Sequence, residues 1–145
     1  MSEQYGSEKI MKSLTSKFRL LHTMIRVLDL DKSIDFYTRH LGMRLLRRTD
    51  FESGRFTLAF VGYDDEAETS VVELTHNWDQ VDPYIQGAAF GHLAIAVPDA
   101  YAVCAAMEKE GVTVPRPAGP MKGSSRVIAF VEDPDGYKIE LVERE

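Results

Sequence analysis

The sequence predicts an α+β fold of two βαβββ modules, whose mixed, curved sheets form a cleft. The main observation is an internal repeat: residues 21–27 align with residues 91–97 at an offset of 70 residues. Each segment has histidine in second place and is followed by aspartate two positions later. At the same offset, residues 58–61 (LAFV) align with residues 128–131 (IAFV). Such ordered self-similarity indicates a duplicated structural unit.

The elements of the first module follow from local patterns. Residues 20–28 are short, apolar and partly β-branched, which predicts a strand. Residues 31–41 begin with an aspartate start signal, carry apolar residues at helical spacing and precede Gly42, which predicts a helix. Residues 56–61 and 70–75 are predicted to be strands.

The second module repeats this order. Residues 92–97 are predicted to be a strand, and residues 99–110 a helix closed by glycine. Two further strands are predicted over residues 126–132 and 137–142. The Asp-Pro-Asp-Gly segment at 133–136 between them predicts a tight hairpin turn, because proline fixes φ and glycine accepts positive φ.

The repeat divides the chain into four segments. Residues 1–18 form an N-terminal extension, 19–78 the first module, 79–88 a connector containing proline, glycine and glutamine, and 89–145 the second module. The extension has no counterpart in the repeat, and it is expected to be either a short helix or a mobile segment without chemistry.

Composition excludes several classes of function. The 145-residue chain has a net charge of −6, so no global field attracts nucleic acid or an anionic membrane. The sequence contains no run of about 18 apolar residues, so no transmembrane helix is predicted. The first 18 residues lack the apolar stretch of a secretory signal. The single cysteine, Cys104, excludes an internal disulfide and fits a reducing compartment. A cytoplasmic location is therefore predicted.

The repeat places one histidine on the first strand and one glutamate on the last strand of each module. The pairs are His22 with Glu73 and His92 with Glu140. Each glutamate stands between large aliphatic residues, and neighbours in a strand point to opposite faces. The carboxylates are therefore expected on the concave side of the sheet, which must be a cleft because a buried unpaired carboxylate is costly.

Two imidazoles and two carboxylates form an N₂O₂ ligand set for a divalent metal. Such borderline ligands suit Zn²⁺, Ni²⁺, Co²⁺ or Mn²⁺. Alone, a strand histidine is more often a core or rim residue, and a glutamate between aliphatic residues usually faces solvent. The coincidence of all four residues with the repeat favours the metal site.

The sequence also resembles glyoxalase I (lactoylglutathione lyase), a family of the vicinal-oxygen-chelate superfamily whose members share the βαβββ repeat. The resemblance runs from about residue 19 to the C-terminus. The segments that carry it are HTM at 22–24, DFY at 35–37, LGM at 41–43, LAFVGY at 58–63, ELT at 73–75, NW at 77–78, GH at 91–92 and AFVEDPDGYKIEL at 129–141.

The resemblance implies an activity and an assembly. The family isomerises the hemithioacetal of methylglyoxal and glutathione to S-D-lactoylglutathione through an enediolate, which detoxifies methylglyoxal. His22, Glu73, His92 and Glu140 match the metal ligands, and Glu140 matches the base. The histidine at the first ligand position and the compact length resemble the bacterial Ni²⁺/Co²⁺ subgroup, although Zn²⁺ stays possible. A homodimer is implied, in which one subunit supplies the first His–Glu pair and the other subunit supplies the second.

Three residues are candidates for binding the anionic glutathione moiety. Arg26 lies four residues after His22 and therefore shares its face of the strand. By resemblance, Arg26 and Asn77 match positions that hold the γ-glutamyl end, and Lys122 lies in a segment like the loop that closes over the glycyl carboxylate. Two positions depart from the family: His76 replaces a common tyrosine, and Ala88 replaces an arginine of the mammalian enzyme.

Other reactions of the same fold remain alternatives. A fosfomycin-type thiol transferase needs only three ligands, for which His22, His92 and Glu140 suffice, leaving Glu73 spare. A metal-free drug-binding module would need none of them. Extradiol dioxygenases use two histidines and one glutamate on Fe²⁺, but the modules of this chain are too short and too few for that class.

Overall fold

The computed structural model describes residues 2–144, which contain two four-stranded sheets. The first sheet consists of β1 (His22–Arg26), β2 (Arg44–Phe51), β3 (Phe56–Gly62) and β4 (Val71–Asn77). The strands lie in the order β1-β4-β3-β2. Strands β1 and β4 are parallel, and the other two pairings are antiparallel.

The second sheet repeats this topology strand for strand. It consists of β5 (His92–Val97), β6 (Arg116–Pro120), β7 (Val127–Glu132) and β8 (Lys138–Glu143). Their order is β5-β8-β7-β6, again with the first pair parallel and the others antiparallel. The predicted pair of βαβββ modules is confirmed.

One helix connects the first two strands of each module. Helix α2 (Leu30–Asp35) continues directly into a π-helical turn (Phe36–His40), and α3 (Ala100–Lys109) is its counterpart. The predicted start of α2 at Asp31 is wrong by one position. The aspartate that caps the helix is Asp29, whose side chain accepts a hydrogen bond from the amide of Lys32.

The N-terminal segment forms a helix, α1 (Ser2–Thr15), rather than a mobile tail. From Gln4 onward its side chains are exposed. No helix within residues 2–144 is long and apolar enough to cross a membrane.

Two strands, β2 and β6, were implied by the module count but not located in the sequence. Strand β2 is exposed along almost its whole length, so it shows no apolar alternation. Strand β6 contains Pro117 and Pro120, which lower strand propensity and are tolerated because β6 is an edge strand. Both strands are fixed by pairing with their neighbours β3 and β7 rather than by their own pattern.

The core lies between the sheets and the helices. Leu74, Ile139 and Leu141 are fully buried, and they flank the two glutamates in sequence. Glu73 and Glu140, by contrast, are not fully buried. This alternation confirms the expectation that the aliphatic neighbours pack inward while the carboxylates face the opposite side of each sheet.

The β7–β8 turn joins the second module to the first. Asp135 accepts hydrogen bonds from the Leu28 amide and the Ser33 hydroxyl, and the Tyr137 hydroxyl donates to the Arg26 carbonyl. Gly136 adopts a φ of 83°, as the predicted tight turn requires. The turn thereby anchors the end of β1, the strand that carries the first candidate ligand.

Candidate metal centre

The first His–Glu pair forms across the parallel strands β1 and β4. Met24 lies directly opposite Glu73, and His22 is two residues earlier on the same face of β1. The His22 Nε2 and Glu73 Oε2 atoms are 2.9 Å apart, and the two side chains are 36% and 13% exposed. The pair is thus held by the sheet while its polar ends stay reachable from outside the chain.

The second pair has nearly the same geometry on β5 and β8. Ala94 lies opposite Glu140, so His92 stands in the same diagonal relation to its glutamate. The His92 Nε2 and Glu140 Oε2 atoms are 2.7 Å apart, with side chains 39% and 17% exposed. The internal repeat of the sequence therefore gives the two His–Glu pairs nearly the same side-chain geometry.

The two pairs do not converge within a single chain. No group of three or more histidine, cysteine, aspartate or glutamate side chains among the described residues is arranged to hold a metal ion. Each pair nevertheless presents an imidazole nitrogen and a carboxylate oxygen at contact distance, which are donors that suit a borderline divalent metal. Each module consequently provides half of an N₂O₂ ligand set.

An aromatic ring accompanies each histidine, and the sequence reasoning assigned it no role. The rings of His22 and Phe60 meet edge to face at 5.5 Å and 81°, and those of His92 and Phe130 at 5.2 Å and 77°. The sequence signal was present, because both phenylalanines lie in the aligned segments LAFV and IAFV. They are the third repeated side-chain type at the candidate site.

Two arginines are the strand-register partners of these phenylalanines, with different contacts. The Arg47 guanidinium carbon is 3.6 Å from the ring centroid of Phe60. Arg47 also donates two hydrogen bonds to Glu66, at 2.7 and 3.0 Å, and this contact lowers the pKa of the Glu66 carboxyl. Arg116 is paired in register with Phe130, but its guanidinium donates to main-chain carbonyls, including that of Ile128.

Arg26 lines a cavity whose wall also includes the hydrogen-bond partner of Asn77. This cavity, of about 210 Å³, is lined by Arg26, Met24, Tyr84 and Tyr137 among others. The Asn77 amide donates a hydrogen bond to the Tyr84 hydroxyl at 3.0 Å. Tyr84, the hydrogen-bond partner of Asn77, thus lines the same cavity as Arg26. Sequence reasoning did not single out Tyr84, because nothing in the connector marked it.

The third candidate, Lys122, is exposed on the turn between β6 and β7. Gly123 follows with a φ of 80°, and the Met121 amide donates a hydrogen bond to the Arg126 carbonyl across the turn.

Beside the second His–Glu pair, a separate cavity of about 410 Å³ is lined by His92, Arg116 and other residues. Two cationic residues, Arg116 and Lys138, thereby stand in the lining of a cavity that also includes His92.

Within the described residues, neither histidine without a repeat partner is hydrogen-bonded to a His–Glu pair, although His76 lies three residues after Glu73 on β4. His40 is mostly buried and packs against Phe36. His76 is half-buried on β4, and its Nδ1 atom has no hydrogen-bond partner within the described structure. The Trp78 indole donates a hydrogen bond to the Thr57 hydroxyl.

The sequence pattern of one protein family, described as "Glyoxalase/Bleomycin resistance protein/Dioxygenase superfamily", matches residues 19–141. The chain belongs to this superfamily. A superfamily member from Neisseria meningitidis serogroup B, named lactoylglutathione lyase, is 60% identical over 126 residues, which are 87% of this chain and 91% of the relative. Within the superfamily, the chain is therefore a member of the lactoylglutathione lyase family.

Solved structures of this family have the same fold. The crystal structure of glyoxalase I from Zea mays is 46% identical, with a TM-score of 0.83 over 87% of this chain. This chain spans only 44% of the maize protein. The trypanothione-dependent glyoxalase I of Leishmania major is 46% identical, with a TM-score of 0.79 over 88% of this chain and 87% of that protein.

Proposed function

We propose that this chain isomerises the hemithioacetal of methylglyoxal and glutathione to S-D-lactoylglutathione. The observation that carries the proposal is the pair of equivalent His–Glu contacts, at 2.9 and 2.7 Å, one in each module. A relative with 60% identity bears the name of this activity. The reaction moves a proton between adjacent carbons, and it detoxifies methylglyoxal.

The complete site is proposed to form between two copies of the chain. His22 and Glu73 of one subunit would meet His92 and Glu140 of the other, giving two sites in each homodimer. The proposal is supported by the absence of any three-ligand group within the described part of one chain. A site between two subunits also explains why the histidine and glutamate side chains of both pairs are partly exposed in one chain.

A divalent ion held by these four side chains would supply Lewis-acid stabilisation of the oxyanion that develops on the substrate. Ni²⁺ or Co²⁺ is the proposed physiological ion, with Zn²⁺ as the alternative. Glu140 is proposed as the base that moves the proton, because a carboxylate within about 3 Å of the substrate carbon can abstract it. Glu73 occupies the equivalent place and would serve the opposite stereoisomer of the hemithioacetal.

The anionic thiol moiety needs local cations, because the chain itself carries a net charge of −6. We propose that Arg26 and Asn77 hold one end of glutathione at the cavity beside Tyr84, and that Lys122 holds the other end. The Leishmania relative is described as trypanothione-dependent, so the thiol is a variable property within this group. A reducing, cytoplasmic location would supply glutathione and fits the single cysteine.

The direct test is activity with methylglyoxal and glutathione after removal of metal with EDTA. Activity should be lost, and it should return with Ni²⁺ or Co²⁺ to a greater extent than with Zn²⁺. Replacing glutathione by trypanothione measures thiol selectivity in the same assay. Failure of every metal to give activity would contradict the proposal, and thiol consumption that depends on fosfomycin would favour a transferase. The equal geometry of Glu73 and Glu140 argues against the transferase, which would leave Glu73 unused.

A further inference from the structure

A row of four side chains crosses each sheet in the same order. On adjacent strands, Phe60 lies directly opposite Glu73, and Arg47 lies opposite Phe60. In the second module, the opposed pairs are Phe130 with Glu140 and Arg116 with Phe130. Side chains that are directly opposed on adjacent strands lie on the same face and contact one another. Together with the diagonal contact of each histidine to its glutamate, this gives a row of histidine, glutamate, phenylalanine and arginine in each sheet.

The phenylalanine restricts the plane of the imidazole in each row. The edge-to-face arrangement of His22 on Phe60 and of His92 on Phe130 is a favoured geometry for two aromatic rings. A histidine ring otherwise turns easily about its last side-chain bond, since that torsion has broad minima. Phe60 is 3% exposed, so its own ring is fixed by packing. The imidazole is thus held by the glutamate at Nε2 and by the phenylalanine at the ring.

We propose that Phe60 and Phe130 are positioning residues, which hold the imidazoles of His22 and His92 with Nε2 directed toward the metal position. The proposal rests on the proposed metal site and deepens it. Groups that orient a ligand side chain without touching the ion raise its affinity, because less motion has to be lost on binding.

The first row carries an additional support that the second row lacks. The Arg47 guanidinium lies on the face of Phe60, at a distance typical of a cation–π contact, and Glu66 fixes Arg47 through two hydrogen bonds. Arg116 instead bonds the carbonyls of Gly119 and Ile128, and so stabilises the β6–β7 hairpin. The proposal therefore assigns to Arg47 the role of holding Phe60 in place, and it predicts that the two half-sites are unequal.

The main test is Phe60→Leu, with Phe56→Leu as the matched control. Phe56 lies four residues earlier on the same face of β3 and stacks on Phe51 rather than on a histidine. We expect Ni²⁺ and Co²⁺ affinity, measured by calorimetry, to fall about tenfold in Phe60→Leu. The visible absorption of the Co²⁺ form should also change, because the angle of one imidazole ligand changes. Equal metal affinity and an unchanged Co²⁺ spectrum in Phe60→Leu would overturn the proposal.

Arg47→Met tests whether Arg47 holds Phe60 in place. The change is made at the surface, where a substitution disturbs folding less. Its control is Arg48→Met, the next residue of β2, whose ion pair with Asp31 is remote from the row. We expect Arg47→Met to weaken metal binding several-fold, and Arg48→Met to leave it unchanged. Equal affinities in these two variants would remove the role of Arg47.

One measurement requires neither a variant nor a metal. In the metal-free wild-type protein, nuclear Overhauser effects should join the His22 ring protons to those of Phe60, and the His92 ring protons to those of Phe130. Their absence would overturn the positioning role even if every variant failed to fold. If the effects are present but the wild-type protein binds no metal, the proposed function fails while the ring contacts stand, so the two failures are distinguishable.

Discussion

The hydroxyl of Tyr37 donates a hydrogen bond to Oδ2 of Asp133, and the two oxygens are 2.8 Å apart. Tyr37 is fully buried and Asp133 is 5% exposed. The bond joins the helical connection of the first module to the β7–β8 turn of the second. Burial raises the pKa of Asp133 to about 6, although hydrogen bonds from Tyr37 and two amides act in the opposite direction. The junction between the modules therefore contains a carboxylate that is costly to ionise.

Removing the hydroxyl of Tyr37 should destabilise the fold. Tyr37→Phe leaves one oxygen of Asp133 without its donor in a buried position, which costs about 1–3 kcal/mol of unfolding free energy. Denaturant unfolding of the metal-free protein at fixed protein concentration measures this loss. Tyr101→Phe is the control, because Tyr101 is 52% exposed. An equal stability for the two variants would show that the hydrogen bond contributes nothing.

The contribution of Asp133 to the free energy of unfolding should decrease as the pH rises. Its ordinary pKa is 3.8, and the folded value is about 6. Between these values the folded chain binds more protons than the unfolded chain, so the stability due to this group is complete below about pH 4 and is lost as the pH rises through about 6. A pKa difference of about two units between the folded and unfolded chains corresponds to about 3 kcal/mol of unfolding free energy.

Asp133→Asn isolates this contribution, because an amide does not titrate. The unfolding free energy of the wild-type protein minus that of the variant should decrease by up to about 3 kcal/mol from pH 4 to pH 7. Unfolding is measured in EDTA, so that metal binding does not contribute to the pH dependence. A difference that stays constant over this range would contradict the raised pKa.

Glu140→Gln should separate proton transfer from metal binding. The glutamine keeps an oxygen donor but cannot accept the substrate proton, so kcat should fall by about 10²–10⁴-fold. The metal content, measured by elemental analysis, should fall much less. Glu73→Gln should have the smaller effect on kcat, and Glu132→Gln on the neighbouring strand serves as the control. A Glu140→Gln enzyme with nearly normal kcat would show that another group is the base.

Arg26→Met should raise KM while leaving kcat nearly unchanged. Arg26 is assigned to the anionic part of the substrate, which is remote from the reacting carbons. Loss of one charged hydrogen bond of about 1.5–3 kcal/mol should reduce kcat/KM by about 10- to 100-fold. Arg44→Met, at an exposed position of β2, controls for the loss of a positive charge. A fall in kcat at constant KM would contradict a role in binding alone.

The repeat made the two His–Glu pairs predictable, because His22, Glu73, His92 and Glu140 keep equivalent places in both modules. Their pairing follows from strand alternation, since buried Leu74 and Leu141 face away from the carboxylates. The start of α2 was missed by one residue, because Asp29 and Asp31 both provide an N-terminal cap signal and only the backbone geometry chooses between them.

Other features depend on tertiary packing that no local pattern reports. The aspartates of the β7–β8 turn were predicted only as turn formers, whereas Asp133 is buried against the other module. Strand β2 is exposed and shows no alternation, and β6 contains two prolines, so neither showed a strand pattern. Phe60 and Phe130 were aligned by the repeat, but only the structure places their rings against the histidines.

Mixing two defective chains tests the central claim most directly. One chain carries His22→Ala and Glu73→Ala, and the other carries His92→Ala and Glu140→Ala. In a heterodimer of the two, one site combines both defects and the other combines both intact pairs. The purified heterodimer should therefore recover about half of the wild-type activity, whereas each parent homodimer is inactive. A correctly folded heterodimer without activity would contradict the account, because it would show that the two halves do not meet between subunits.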